Sequence, residues 1–293
     1  MTDHPTRPAM TLVFVHGGVS GLPKNPPEIG HALAGTADLS AVDAVERAVT
    51  ALEDDPSLNA GFGAVLNRTG EVELDAGIAL GSSGEVGAVA CVDVKNPIRL
   101  ARIVLEDTPH VLLAGKGAQQ LAREHGLPEL GDSTPEQRDR WAAALAAGEF
   151  ATGNYGQPEH VDTVGAVAVD ATGNVAAGSS TGGVFGKLPG RVGDSPIFGA
   201  GFYASPRVAV VGTGVGEVYL ENLACLRVAE LVEQGTAVQK ACERVVARLA
   251  RTRAAAAGLL AVDSDGRLGA AYCGGSWGVW GPQGSIIPRR VEI

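Results

Sequence analysis

The chain has 293 residues, and its 23 Lys and Arg stand against 33 Asp and Glu, a net charge of -10 that no Lys/Arg stripe offsets. Nucleic acid and anionic membrane surfaces would be repelled by that balance and are not expected as partners. With 45% hydrophobic and 19% charged residues, the chain can bury a sizeable core as one large domain or two small ones.

The first apolar run, Leu12–Val15, is too short for the core of a signal peptide and lacks a small-residue cleavage site. No later stretch approaches a membrane span, so a cytoplasmic location is expected. The four cysteines, Cys91, Cys225, Cys242 and Cys273, form no CxxC pair and have no histidine close in sequence, so free and mostly buried thiols are expected. Glycine is in excess, with 41 residues, about twice the usual fraction. They gather at the ends of apolar runs, where strands feed tight turns or another group approaches the backbone closely.

Residues 11–16 (TLVFVH) form a β-branched apolar run stopped by Gly17-Gly18 and read as a buried strand. Ser40 opens a stretch in which Ala41, Val45, Ala48, Val49 and Leu52 share one helical face; with Asp43 it makes a capping box, which predicts a helix over about 40–54. Strands follow near 72–80 and 86–94, then helices near 97–107 and 114–125, the first opened by Pro97. Residues 127–160 lose the periodicity and gather Pro, Gly, Ser, Thr and charge, which predicts a flexible linker with one short helix at 138–147. Beyond it, VGAVAVDATGNVAAGSSTGG and GLLAVDSDGRLGAAYCGG each read as a hairpin, with a strand at 207–212 and helices near 216–234 and 236–253 between them. Strands, then helices, then strands predict an α/β (α+β) chain folded as a four-layer αββα sandwich instead of alternating βαβ units.

Two motifs mislead. Gly178-Ser179-Ser180-Thr181-Gly182 satisfies GxSxG, and His16-Gly17-Gly18 resembles an esterase oxyanion loop, but such an enzyme needs a histidine after its serine. All six histidines precede Ser180. The segment 208–217 (VAVVGTGVGE) imitates a dinucleotide-binding turn, yet Glu217 stands where the third glycine belongs and would repel a pyrophosphate.

A third group runs from His160 to Glu217 and contains HVDTVGAVAVD, SSTGGVFGKLPGRVGDSP and GTGVGE. Taken alone, Thr163 is a β-former at a strand start and Arg191 with Asp194 a surface pair; the catalytic reading stays open beside these. Together with HGG at 16–18, LNAGFGAVLN at 58–67 and GAVACVDVKNPIRLAR at 87–102, these segments resemble the plant-type asparaginase and isoaspartyl aminopeptidase family of N-terminal-nucleophile hydrolases. The resemblance runs over nearly the whole chain and in the family's order.

That resemblance implies a single domain, 1–293, cut between Asp162 and Thr163 into an α part (1–162) and a β part (163–293). Thr163 becomes the nucleophile, and its freed α-amino group the base beside it. Thr181 matches the threonine that orients the nucleophile, Thr213 and Gly214 the oxyanion pair, and Asn59 an asparagine near the scissile carbonyl. Arg191 and Asp194 match the residues that hold the substrate's α-carboxylate and α-ammonium, alongside Thr213 and Gly214, with Gly216 keeping the pocket floor open. The implied substrates are L-asparagine and β-aspartyl dipeptides, and the implied assembly is a homodimer of cleaved protomers. No cofactor is implied; the main-chain carbonyls of loop 52–63 match a segment that holds a structural sodium ion. Glycosylasparaginase-like activity and an uncleaved scaffold are the alternatives. The sequence departs from the family pattern in LDAGIALGSSGEVGAV, which lacks Met-Asp-Gly, in GSSTGG, and in Val19-Ser20-Gly21 after HGG.

Overall fold

The computed structural model describes residues 7–20, 28–151, 163–253 and 256–292. Strands β1 (Leu12–Ser20), β2 (Leu74–Leu80), β3 (Glu85–Val92), β4 (Leu112–Ala114), β5 (Val164–Val169), β6 (Val175–Thr181), β11 (Ser276–Gly281) and β12 (Gly284–Ile286) make one sheet, in the order β12-β11-β1-β5-β6-β2-β3-β4. Strands β7 (Phe202–Ser205), β8 (Val208–Gly214), β9 (Ala257–Asp263), β10 (Leu268–Cys273) and β13 (Arg289–Arg290) make the second, ordered β13-β10-β9-β8-β7. Helices α1 (Ala41–Glu53), α2 (Pro97–Asp107) and α3 (Gly115–Glu124) cover the outer face of the first sheet. The outer face of the second is covered by α5 (Gly216–Asn222), α6 (Ala224–Glu233) and α7 (Val238–Arg253).

A third apolar cluster, including Phe14, Val167, Val169, Phe202, Val211 and Leu260, fills the space between the sheets. The expected αββα sandwich is therefore formed, and each sheet buries both faces, which is why its strands read as continuous apolar runs instead of alternating ones. Helix α1 follows its sequence cues: Ala41, Val45, Ala48, Val49 and Leu52 are buried, and Ser40 Oγ accepts from the Asp43 N–H at 3.3 Å. The β5–β6 hairpin turns where expected, with Asp170 Oδ1 accepting from the N–H groups of Thr172 and Asn174 at 2.9 and 3.1 Å. All four cysteines are free thiols, three of them buried. Among the described residues no helix is long and apolar enough to cross a membrane.

Three boundaries differ from expectation. Strand β1 does not stop at Gly17-Gly18; it shifts register there as a bulge and pairs again with β11 at Val19 and Ser20. The helix expected over 216–234 is two helices, because Leu223 turns left-handed at φ 46° while Asn222 Nδ2 donates to the Val218 carbonyl at 2.8 Å. The helix expected at 138–147 is α4 (Pro135–Ala146), started by Thr134, whose Oγ1 accepts from the Gln137 N–H at 3.3 Å, and by Pro135 in its first turn. Residues 127–151 accordingly carry more structure than a flexible linker. Trp141 stacks on Phe150, Phe150 meets Phe185, and Arg68 donates to the Phe150 carbonyl at 3.0 Å. Residues 152–160 of the expected linker lie outside the described residues.

Candidate active site

Strand β5 lies inside the larger sheet, bonded to β1 on one side and β6 on the other, and Thr163 stands at its entrance, 4% exposed. Because β6 runs antiparallel and pairs Ser180 with Val164, its last residue, Thr181, arrives beside Thr163. The Thr163 hydroxyl donates to Thr181 Oγ1 at 3.3 Å, and the Gly183 N–H donates to the same oxygen at 3.0 Å. Both acceptor positions of Thr181 are then in use, so its own proton must go elsewhere. Asp162, the other half of the expected cleavage site, lies outside the described residues.

Asn59 builds this turn from behind. Its Nδ2 donates to the Gly183 carbonyl at 2.7 Å, its Oδ1 accepts from the Val65 N–H at 3.0 Å, and its carbonyl accepts from the Gly182 N–H at 2.9 Å. Its side-chain bonds thus run to backbone flanking the pocket, and Asn59 reaches Thr181 through the turn.

Thr213 and Gly214 come from the end of β8 in the facing sheet. Thr213 is fully buried, and its Oγ1 accepts from the Val19 N–H of β1 at 3.3 Å, which ties it to the strand next to β5. The Tyr219 hydroxyl, 2.8 Å from the carbonyl oxygens of both Thr213 and Gly258, fixes this end of β8.

Arg191 and Asp194 lie in the loop between β6 and β7. The Arg191 guanidinium grips Glu217 through Nε to Oε1 at 3.0 Å and through Nη2 to Oε1 and Oε2 at 2.9 and 3.0 Å. Asp194 is 4% exposed, and its Oδ2 has no hydrogen-bond partner among the described residues. Burial pushes its carboxyl up to about 7, against the pull of the nearby guanidinium. A partly buried guanidinium beside a buried carboxylate is chemically suited to a zwitterionic head group. Gly216 lies between them: a Cβ there would fall 2.8 Å from Arg191 Nη2 and 2.9 Å from Asp194 Oδ1, so only glycine leaves that gap unfilled.

Loop 52–63 turns its carbonyls inward on two glycines. A Cβ on Gly61 would lie 2.4 Å from the Glu53 oxygen, and one on Gly63 would lie 2.2 and 2.6 Å from those of Leu58 and Pro56. Those oxygens pack against the glycine backbone itself, which is why the loop requires glycine at both positions.

Both misleading motifs resolve here. Ser180 follows Gly178 on the face of β6 turned to α1 and α2, opposite to Thr181, and lies near the buried Glu53, whose carboxyl burial pushes up to about 8. His16 is fully buried against Trp277, and burial drives its imidazole down to about 3, so it stays neutral. The Gly-rich turn after β8 leads into two successive helices, and its Glu217 binds Arg191. Glu217 was missed as a functional residue; the ion pair spans 26 residues of sequence, and the only signal was the acid inside the GTGVGE motif itself.

The family model described as asparaginase matches residues 31–276. The chain is 44% identical to the isoaspartyl peptidase of Salmonella typhimurium over 256 residues, covering 84% of this chain and 82% of that protein. It is 43% identical to the isoaspartyl peptidase/L-asparaginase of Homo sapiens over 272 residues, 87% of each chain. Against the plant-type L-asparaginase of Pyrococcus abyssi it is 42% identical over 282 residues, 89% of this chain and 92% of the other. Together with the layered fold and the threonine pair at the head of β5 and the end of β6, these matches show that the chain is a hydrolase belonging to the plant-type asparaginase and isoaspartyl aminopeptidase family.

Proposed function

We propose that the chain cuts itself between Asp162 and Thr163 and then hydrolyses the side-chain amide of L-asparagine and the isopeptide bond of β-aspartyl dipeptides. The observation that carries this reading is the Thr163–Thr181 hydroxyl contact of 3.3 Å, beside a turn built by Asn59 and joined, through Asp75 opposite Thr181, to the loop of Arg191 and Asp194. The names of the relatives, isoaspartyl peptidase and L-asparaginase, support it.

A threonine hydroxyl is a weak nucleophile at neutral pH, whereas a freed α-amino group has a pKa of about 7.7–8.0 and can take its proton. Cleavage therefore makes the catalytic base. Thr163 Oγ1 attacks the side-chain carbonyl carbon, and the Thr213 hydroxyl, whose oxygen already accepts from Val19, turns its proton to the developing oxyanion with Gly214 beside it. The carbon–nitrogen bond breaks, the amine leaves with the proton taken by the α-amino group, and water then hydrolyses the β-aspartyl ester on Thr163. Arg191 and Asp194 hold the substrate's α-carboxylate and α-ammonium, which favours β- over α-aspartyl linkage. The same reading includes a sodium ion on the carbonyls of loop 52–63, with a structural role, and a homodimer of cleaved protomers.

Intact mass under denaturing conditions, with Thr163→Ala as control, tests the first step. Two fragments meeting between Asp162 and Thr163 in the wild type alone are expected; a single stable chain overturns the nucleophile. Turnover of L-asparagine and β-aspartyl dipeptides, with α-aspartyl dipeptides spared, is expected of the cleaved protein, and equal turnover of both linkages refutes the specificity.

A further inference from the structure

The loop carrying Arg191 is held at three points by residues just before and within β2. Lys187 Nζ donates to the Glu73 carbonyl at 2.7 Å, the Gly190 N–H donates to Glu73 Oε1 at 2.8 Å, and the Gly193 N–H donates to Asp75 Oδ2 at 3.3 Å. The last contact bears directly on the guanidinium. A Cβ on Gly193 would lie 2.7 Å from Arg191 Nη1, so the guanidinium rests on the backbone whose N–H Asp75 holds. On its other side the guanidinium approaches Gly216 equally closely.

Both anchors need a carboxylate. Asp75, fully buried, accepts from the Cys91 N–H through Oδ1 at 3.0 Å and from Gly193 through Oδ2. Glu73 Oε2 accepts from Asn67 Nδ2 at 3.1 Å while Oε1 takes Gly190. Every partner is a donor, so an amide in either place would turn an NH2 group against an N–H. Lys187, 2% exposed, supplies the balancing charge near Asp75. Asp75 also lies in cross-strand register with Thr181. One segment of β2 thus borders the nucleophile's platform on β6 and holds the loop of the receptor.

We infer that Glu73 and Asp75 are positioning residues for substrate binding, setting where the Arg191 guanidinium stands relative to Thr163. The inference rests on the proposed reading of Arg191 and Asp194 as the head-group receptor. It goes beyond that reading by giving the receptor a support on β2.

The test uses the full cleaved protein carrying Asp75→Asn. Expected is a rise of about tenfold or more in KM for L-asparagine, with kcat within about threefold of wild type and self-cleavage intact, the scale of one misplaced charge-assisted contact. In an Arg191→Ala background, Asp75→Asn should add little further to KM, because the residue acts through Arg191. An unchanged KM, a fall in kcat alone, or the same factor in both backgrounds overturns the inference. Glu73→Gln gives the same readout if Asp75→Asn does not fold. Calorimetric binding of L-aspartate separates the two failures: weaker binding by the variant than by an inactive wild type keeps the inference and sinks the proposed reaction. A wild type that binds no aspartate sinks both.

Discussion

Arg191 and Glu217 are joined by three hydrogen bonds, two of them sharing Oε1, in a pair whose arginine side chain is 17% exposed and whose glutamate is 46% exposed. The arginine thus stands in the site already oriented, and its remaining N–H groups stay available to a substrate carboxylate. For a partly exposed pair the expected worth is about 1 kcal/mol. Glu217→Ala should therefore raise KM for L-asparagine about fivefold with kcat little changed. Glu217→Gln, which keeps an oxygen for Nε and Nη2, should stay within about twofold. Steady-state kinetics on both variants checks this, and equal loss in the two would assign the effect to charge, not orientation.

Gly216 admits a second test because its two requirements oppose each other. As the first residue of α5, outside the left-handed region, it has a backbone that alanine can adopt. The new Cβ, however, would sit within 3 Å of both Arg191 Nη2 and Asp194 Oδ1, in the space between the receptor's charges. Gly216→Ala should cost about 1–3 kcal/mol of stability and still cut itself, while KM rises at least about tenfold. A variant with normal KM would show that the substrate head group lies elsewhere.

Asp194 gives a pH dependence whose sign follows from its burial. Its carboxyl stands at about 7 instead of 3.8, so the neutral form is favoured in the free protein below pH 7. Stability linked to this raised acid is fully present below the ordinary value and is lost as pH rises through about 7. A bound ammonium offsets that loss. Binding of L-aspartate, which does not need the Thr163 amine as a base, should weaken about tenfold per pH unit below 7 and level off above it. Asp194→Asn should bind weakly at every pH. A wild-type profile flat from pH 5 to 8 would remove Asp194 from the ammonium site.

What the sequence revealed and what it concealed have a common physical division. Helix α1 and the β5–β6 hairpin were legible because capping, helical period and turn chemistry act within a few residues, as Ser40–Asp43 and Asp170–Asn174 do. Thr163, Thr181, Arg191, Asp194 and Gly216 were reachable because each lies inside a short motif resembling a known family. Glu217, Glu73 and Asp75 act through contacts spanning 26, 117 and 118 residues, and no local pattern signals such pairs. The early start of α4 was a local signal left unread: Thr134 caps the Gln137 N–H and Pro135 opens the first turn. Its polar composition resembles a linker, and the packing of Trp141 against Gly70 and Phe150 is the long-range part that composition hides.

Thr181 tests the site at its centre. Its hydroxyl receives both the Thr163 hydroxyl and the Gly183 N–H, so Thr181→Val, nearly equal in volume, removes one acceptor and strands two donors. The stranded Gly183 N–H alone should lower stability by about 1–3 kcal/mol, and the freed Thr163 hydroxyl loses its orientation. Thr181→Ser keeps the oxygen and should restore both the stability and the chemistry. We expect Thr181→Val to slow self-cleavage and kcat each by about tenfold to a hundredfold, as two to four days of intact-mass sampling and turnover of L-asparagine would show. If valine cuts and turns over as the wild type does, the 3.3 Å contact is packing alone, and the orientation of Thr163 must come from the pairing of Val164 and Gly165 just after it with β6 and β1.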